Sequence, residues 1–394
     1  MSTSLPKVVL QPVKERSLKL KHPWVFSGAI KKVDPGIREG DLVAVYSHGN
    51  EYLGTGHYHE GSIKVRMITF GDFTGGLDFW LEKFKQAYAL RERLGLINST
   101  STTAYRLIHG EGDGFPGLIV DVYGKAAVLQ AHTLGMYKNI ELFKDCLTAL
   151  YSNQLEVIYD KSVESLGKQL PVGSANQFLM GNTPEMLIHE NGIGFQVNFV
   201  EGQKTGFFLD QRDNRSLLRS YSAGKDVLNT FCYSGGFSLA ALAGGATSVV
   251  SIDSSSKATA LAQRNSDLNG FKGHEIVTED VFDYLRNDSQ QYDLVILDPP
   301  AFAKHLSAVD KAMIGYRNLN TQGFKKVKSG GLLFTFSCSQ VIDKQTFRKV
   351  VFQAAAQSGR NVRILHQLSQ GADHPISIYH PEGEYLKGLV LYVD

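Results

Sequence analysis

Cysteine is scarce: three residues in a chain of 394, namely Cys146, Cys232 and Cys338. The number is odd, the spacing is wide and no C-x-x-C pair occurs. That excludes a disulfide framework and a clustered-cysteine zinc site, and no metal is expected. Long apolar runs are also missing. None approaches the ~20 residues needed to cross a bilayer. The opening stretch, MSTSLPKVVLQPVKER, lacks the continuous apolar segment of a secretory leader. A cytoplasmic protein with no membrane part is the expectation. Excess charge of one sign is absent as well. Lys and Arg number 41 against 39 Asp and Glu, a formal net charge of +2, so the whole chain is not a basic coat for nucleic acid. No internal repeat or low-complexity tract interrupts it.

What is present is an ordinary globular composition, 43% hydrophobic and 20% charged, in a chain too long for one hydrophobic core. Its charge is locally uneven. Residues 1–21 hold Lys7, Lys14, Arg16, Lys19 and Lys21 against one acid, Glu15. Such a patch could meet phosphates or could be a solvated edge. Residues 1–70 alternate short β-like runs with Gly and Asn turns (KVVLQ, DLVAVYS, YLGTGHY, IKVRMITF), the pattern of a small β-barrel. A helix is expected at about 77–96. The stretch to about 185 predicts a hairpin turning at Tyr123-Gly124-Lys125, a helix at about 136–151 and a strand near LEVIYDKS, hence a small α+β unit. From 226 onward, strands (226–231, 248–253, 274–280, 293–298, 331–337) alternate with amphipathic helices. This predicts a mostly parallel α/β sheet whose strand C-termini share one edge.

Five motifs fall on or near that edge. In Phe231-Cys232-Tyr233-Ser234-Gly235-Gly236 a strand end turns through small residues into a helix, letting backbone approach a ligand closely. A purely structural turn would look the same. Asp253, about 20 residues on, suits ribose hydroxyls. Asp280 could meet an adenine amino group or cap the next helix. Asp298-Pro299-Pro300-Ala301-Phe302 makes a stiff loop that could hold a flat base against an aromatic ring. Phe336-Ser337-Cys338-Ser339 ends a strand at the same edge, where the thiol could be a nucleophile or a small buried hydrophobe. Cys232 competes for that role, whereas Cys146 falls in a predicted amphipathic helix. Finally, Lys204–Arg212 opens a helix with Asp210 as its N-cap. There Gln211 and Arg212 could fix the carboxylate and amine of a methionine, or could be surface residues. Three strand-end acids and a glycine turn together fit an adenosyl ligand.

KTGFFLDQR, NTFCYSGGFSLAAL, LDPPAFAK, FSCS and DHPISIYHPEGEYLKG resemble the PUA-domain ribosomal RNA large-subunit methyltransferases that make 5-methylcytosine. HPWVFSGAI is similar to the opening of that family's PUA domain, and YRLIHGEGDGFPGLIVDVYG resembles its central α+β domain. The resemblance covers nearly the whole chain in one order. It implies a PUA-like RNA-binding β-barrel over 1–74, a central α+β domain over 75–185 and a Rossmann-like class I methyltransferase domain over 186–394. It also implies S-adenosylmethionine as cofactor, bound by Tyr233, Ser234, Gly235, Asp253, Asp280 and Asp298; Gln211, Arg212 and Phe231 are expected beside them from their place in the motifs. Cys338 would be the nucleophile and Asp298 its catalytic partner. Lys19, Lys21, Pro299, Phe302 and Lys304 would touch RNA. Many members carry Lys directly after the two prolines, where this chain has Ala301. Lys304 stands three residues further on and could substitute.

The expected reaction is methylation of a cytosine C5 in 23S ribosomal RNA through a Cys338 adduct at C6. Two alternatives stand beside it: guanine N-methylation, which needs no cysteine, and a non-catalytic RNA-binding assembly factor. A homodimer is left open.

Overall fold

The computed structural model describes residues 5–303 and 305–394, so Lys304 lies outside the described residues. The chain forms two compact units. The first comprises residues 1–188, 197–207 and 372–383; the second comprises 189–196, 208–371 and 384–394. The chain therefore passes between units several times.

The first unit holds two sheets. One has six strands, and its two edge strands, Trp24–Phe26 and Ile30–Val33, are joined by a single turn at Ser27–Ala29. A sheet whose opposite edges are three residues apart in sequence must curl so that those edges approach each other at that turn. Alternating inward residues fill it, among them Val8, Leu10, Val43, Val45, Val65 and Met67. The other sheet has five strands and packs against helices Gly76–Arg93 and Ile140–Leu150. Trp80, Phe84, Phe115 and Phe143 form an aromatic cluster at its centre. The helix expected at about 136–151 is broken into Leu134–Tyr137 and Ile140–Leu150. Strands Ala104–His109 and Gln177–Met180 are additional to the expected pattern.

The second unit is built on a seven-stranded sheet. We number its strands β1 (Asp226–Thr230), β2 (Ser248–Asp253), β3 (His274–Thr278), β4 (Tyr292–Leu297), β5 (Val327–Ser337), β6 (Val362–Leu368) and β7 (Lys387–Val393). Their order is β3-β2-β1-β4-β5-β7-β6. The first five are parallel, and β7 runs antiparallel to both neighbours. Helices α1 (Arg212–Ser220), α2 (Gly236–Ala243), α3 (Ser256–Leu268), α4 (Val281–Asn287), α5 (Val309–Lys326) and α6 (Lys344–Ser358) accompany the strands. The central strands are buried on both faces, so Leu228, Val295, Ile296 and Phe334 read as apolar runs. The order reverses at β1/β4, and the crevice beyond the C-termini of those strands is where ligands bind in such sheets.

Candidate active site at the sheet edge

β1 ends at Thr230, and the chain then makes a turn with three left-handed residues. φ is 55° at Phe231, 47° at Tyr233 and 80° at Gly235. Two non-glycine residues in that region are strained, and such strain gathers at ligand-binding turns. The turn is held from outside. Tyr233 N donates to Asp253 Oδ2 at 3.0 Å, and Asn265 Nδ2 donates to the Ser234 carbonyl at 2.9 Å. Asp253 thus sits at the end of β2 with its carboxylate already facing the turn, while its Oδ1 accepts from Ser255 N. The Tyr233 ring meets Phe208 edge-on at 5.3 Å.

Asp280 is where the helix-capping alternative is realised. Its Oδ1 accepts from Phe282 N and Asp283 N at the start of α4. Gln211 and Arg212 are 3% and 5% exposed, which overturns their reading as surface residues. Asn214 donates to Gln211 Oε1, so the Gln211 amide nitrogen is turned to Asp298 Oδ2, 3.1 Å away. Asp210 is not the N-cap of α1. It lies in a 3-10 turn (Leu209–Gln211), where Tyr385 donates to its Oδ2 at 2.6 Å. Its Oδ1 is buried with no hydrogen-bond partner among the described residues.

Asp298 follows the last residue of β4. Crowding by surrounding protein, then repulsion from Asp210, push its carboxyl up to about 7. The nearby cation Arg215 is committed elsewhere, with Nε and Nη2 bonding both oxygens of the buried Glu190 at 2.6 and 2.7 Å. Two crowded carboxyls, one of them with an oxygen left without a hydrogen-bond partner among the described residues, gather negative charge at this sheet edge. A ligand carrying a sulfonium and an ammonium fits that charge, and Asp253 at the glycine turn fits its ribose.

Beyond Asp298, Phe302 leans on Tyr316, with ring centroids 4.5 Å apart. Ala303 N donates to Ser339 Oγ, and Tyr316 OH bonds both Ser337 and Ser339 hydroxyls at 3.0 Å. The loop after β4 and the end of β5 are therefore tied together. Cys338 lies between the two serines, partly exposed, with Sγ 4.0 Å from the Pro299 carbonyl. Burial raises the thiols of the other two cysteines, Cys146 to about 12. The expected RNA contacts Lys19 and Lys21 are exposed. Lys19 pairs with Glu51 at 2.7 Å, and the Lys21 ammonium lies 5.8 Å from the Tyr379 ring.

Asn214, Tyr316, Tyr385 and Lys387 join this edge without having been singled out in the sequence, and Asp210 joins it in another role than the cap expected of it. Tyr385 and Lys387 lie in the GEYLKG stretch, which carried the resemblance but no assigned role.

Residues 160–370 match the family described as S-adenosylmethionine-dependent methyltransferase, and residues 8–70 match a PUA-like domain. A protein of Alteromonas mediterranea named ribosomal RNA large subunit methyltransferase I is 40% identical, covering 98% of each chain. Its namesake in Pseudoalteromonas atlantica is 41% identical over 98% of this chain and 99% of its own. Among solved structures, a SAM-dependent methyltransferase from Streptococcus mutans superposes with a TM-score of 0.84 at 26% identity, covering 98% of this chain and 100% of its own. A methyltransferase crystallised with SAH superposes at 0.85, again at 26% identity and the same coverage. Among the described residues no helix is long and apolar enough to cross a membrane. The chain belongs to the S-adenosylmethionine-dependent methyltransferase family that carries an N-terminal PUA-like domain and includes the ribosomal RNA large subunit methyltransferase I proteins.

Proposed function

We propose that this protein methylates C5 of a cytosine in 23S ribosomal RNA through a covalent Cys338 intermediate. The observation that carries the reading is the pairing of a partly exposed thiol with the Asp298-Pro299 loop, 4.0 Å from the Pro299 carbonyl, at the edge that holds the glycine turn. The relatives' printed name supports large-subunit ribosomal RNA as substrate. Boundaries at 1–74, 75–185 and 186–394 are part of the proposal. One core lies wholly within the first span and a second lies mainly in 75–185, drawing in Ile68 from the first, while 1–188, 197–207 and 372–383 form one compact unit.

Cytosine C5 is a poor nucleophile. Addition of the Cys338 sulfur to C6 forms a C–S bond and moves the ring electrons toward C5 and N3. Asp298, half-protonated near neutrality and ionised beside a bound cation, accepts from the exocyclic amino group of the cytosine and so orients the base for attack. Bound S-adenosylmethionine supplies an electrophilic methyl group. A base then takes the C5 proton, the C5=C6 bond re-forms, and Cys338 leaves as thiolate. The partly exposed Phe302 offers a flat wall for a base turned out of its stack, while Pro299, expected to touch RNA, is buried and stiffens the loop from behind. Gln211 positions Asp298, and Asp253 and the Phe231–Gly235 turn hold the cofactor.

Replacing Cys338 with Ala tests the route. Methyl transfer to ribosomal RNA should fall by at least a hundredfold while cofactor affinity stays unchanged. Undiminished transfer would leave guanine N-methylation as the better reading. Bisulfite mapping of ribosomal RNA from a deletion strain tests the base, since an unchanged cytosine pattern would remove it.

A further inference from the structure

Lys387 is 3% exposed, yet no carboxylate neutralises it among the described residues. It opens β7 opposite Ser337 of β5. Its Nζ donates to the Ser339 carbonyl at 2.6 Å and the Tyr385 carbonyl at 2.7 Å. An ammonium so placed is disfavoured by burial unless charge nearby offsets it. The acids around it are otherwise engaged. Glu384 is ion-paired with Lys344, and Asp343 caps α6 through Thr346 N. Of the groups acting on Lys387, which are Cys338, Glu384, Asp343 and Lys344, the thiol has the largest electrostatic influence.

We propose that Lys387 is a positioning residue whose buried ammonium, held against the end of β5 by two carbonyls, stabilises the Cys338 thiolate. The thiol proton goes to bulk water, and Lys387 keeps its own. The placement is directional. Both carbonyls are fixed backbone groups, so the ammonium cannot swing away to solvent. Gly388 makes this possible, because a Cβ there would come within 2.5 Å of the Phe336 ring, leaving β7 no room beside β5. Burial lowers the Lys387 ammonium to about 8, which still leaves it mostly charged at neutral pH. Its support of the thiolate therefore acts near pH 7 and fades above about 8.

The inference rests on Cys338 as nucleophile, but its test does not require methylation. Full-length protein is alkylated with iodoacetamide between pH 6 and 10, and labelling of Cys338 is followed by mass spectrometry. The midpoint in the wild type should lie below the ordinary thiol value of about 8.5. Lys387→Met should move it up by roughly one unit, with about a tenfold loss of labelling rate at pH 7, and Lys387→Arg should restore most of it. A purely structural tie would leave the midpoint in place, and coincident wild-type and Met profiles overturn the proposal. Should the Met variant not fold, the thiolate absorbance of wild type minus Cys338→Ser decides, a midpoint at or above about 8.5 overturning it. Retained methylation by Cys338→Ala would instead remove the nucleophile reading and leave the measured midpoint standing.

Discussion

Gln211 and Asp298, 87 residues apart in sequence, meet across a 3.1 Å hydrogen bond in which the amide donates and the carboxyl accepts. The bond favours the ionised carboxyl, but burial and Asp210 outweigh it. Asp298 is therefore half-protonated near neutrality. A cationic ligand binding beside it would favour ionisation, so cofactor affinity should rise between pH 6 and 8. Calorimetry should find proton release on binding, and Asp298→Asn should flatten the pH dependence.

The same substitution should alter stability with a defined sign. The carboxyl's folded value, about 7, lies above its ordinary 3.8, so the folded state holds more protons in that window and loses stability as pH climbs through it. Asp298→Asn should melt higher than wild type at pH 8, and the gain should vanish toward pH 4. Scanning calorimetry at both values checks this.

RNA carrying 5-fluorocytosine at the target should trap the enzyme. Fluorine cannot leave C5 as a proton does, so the thioether to Cys338 persists. A complex stable in denaturing gels is expected for the wild type and none for Cys338→Ala.

Gly235→Ala should weaken cofactor binding. The residue has φ of 80°, and a Cβ would stand 3.0 Å from Leu239 and 3.2 Å from Ala262. The left-handed conformation alone costs an L-residue about 1–2 kcal/mol, enough for roughly a tenfold loss in affinity if the turn shifts. Calorimetric titration measures it.

Glu190→Ala should destabilise the second unit. Arg215 would keep its buried charge with both guanidinium bonds to Glu190 lost, a change worth about 3–5 kcal/mol. Denaturant unfolding followed by tryptophan-independent far-UV signal should show it.

The alternating strands and helices from 226 to 337 were legible because each carries its own period and its own turn. Asp253 and Cys338 could be placed because a strand end is a local event. What could not be read depends on distant pairing. β6 and β7 are separated by residues 369–386, so nothing local marks them as neighbours, and Lys387 passed unnoticed beside the strand it serves. Asp210 carried a capping pattern that Tyr385, 175 residues away, diverts to another use. Gln211 and Arg212 stayed open between ligand contacts and surface residues because polar side chains do not declare in sequence that they will be buried.

Because β7 pairs back against β5, the thiol and its cation reach one another only after residue 387 has left the ribosome. The glycine turn and Asp253 are complete more than 130 residues earlier in synthesis. A growing chain thus completes the strand ends that carry the glycine turn and Asp253 well before the strand that carries Lys387, so the proposed support of the sulfur is the last part of this edge to be made, and it arrives with the strand that joins β5 to β6.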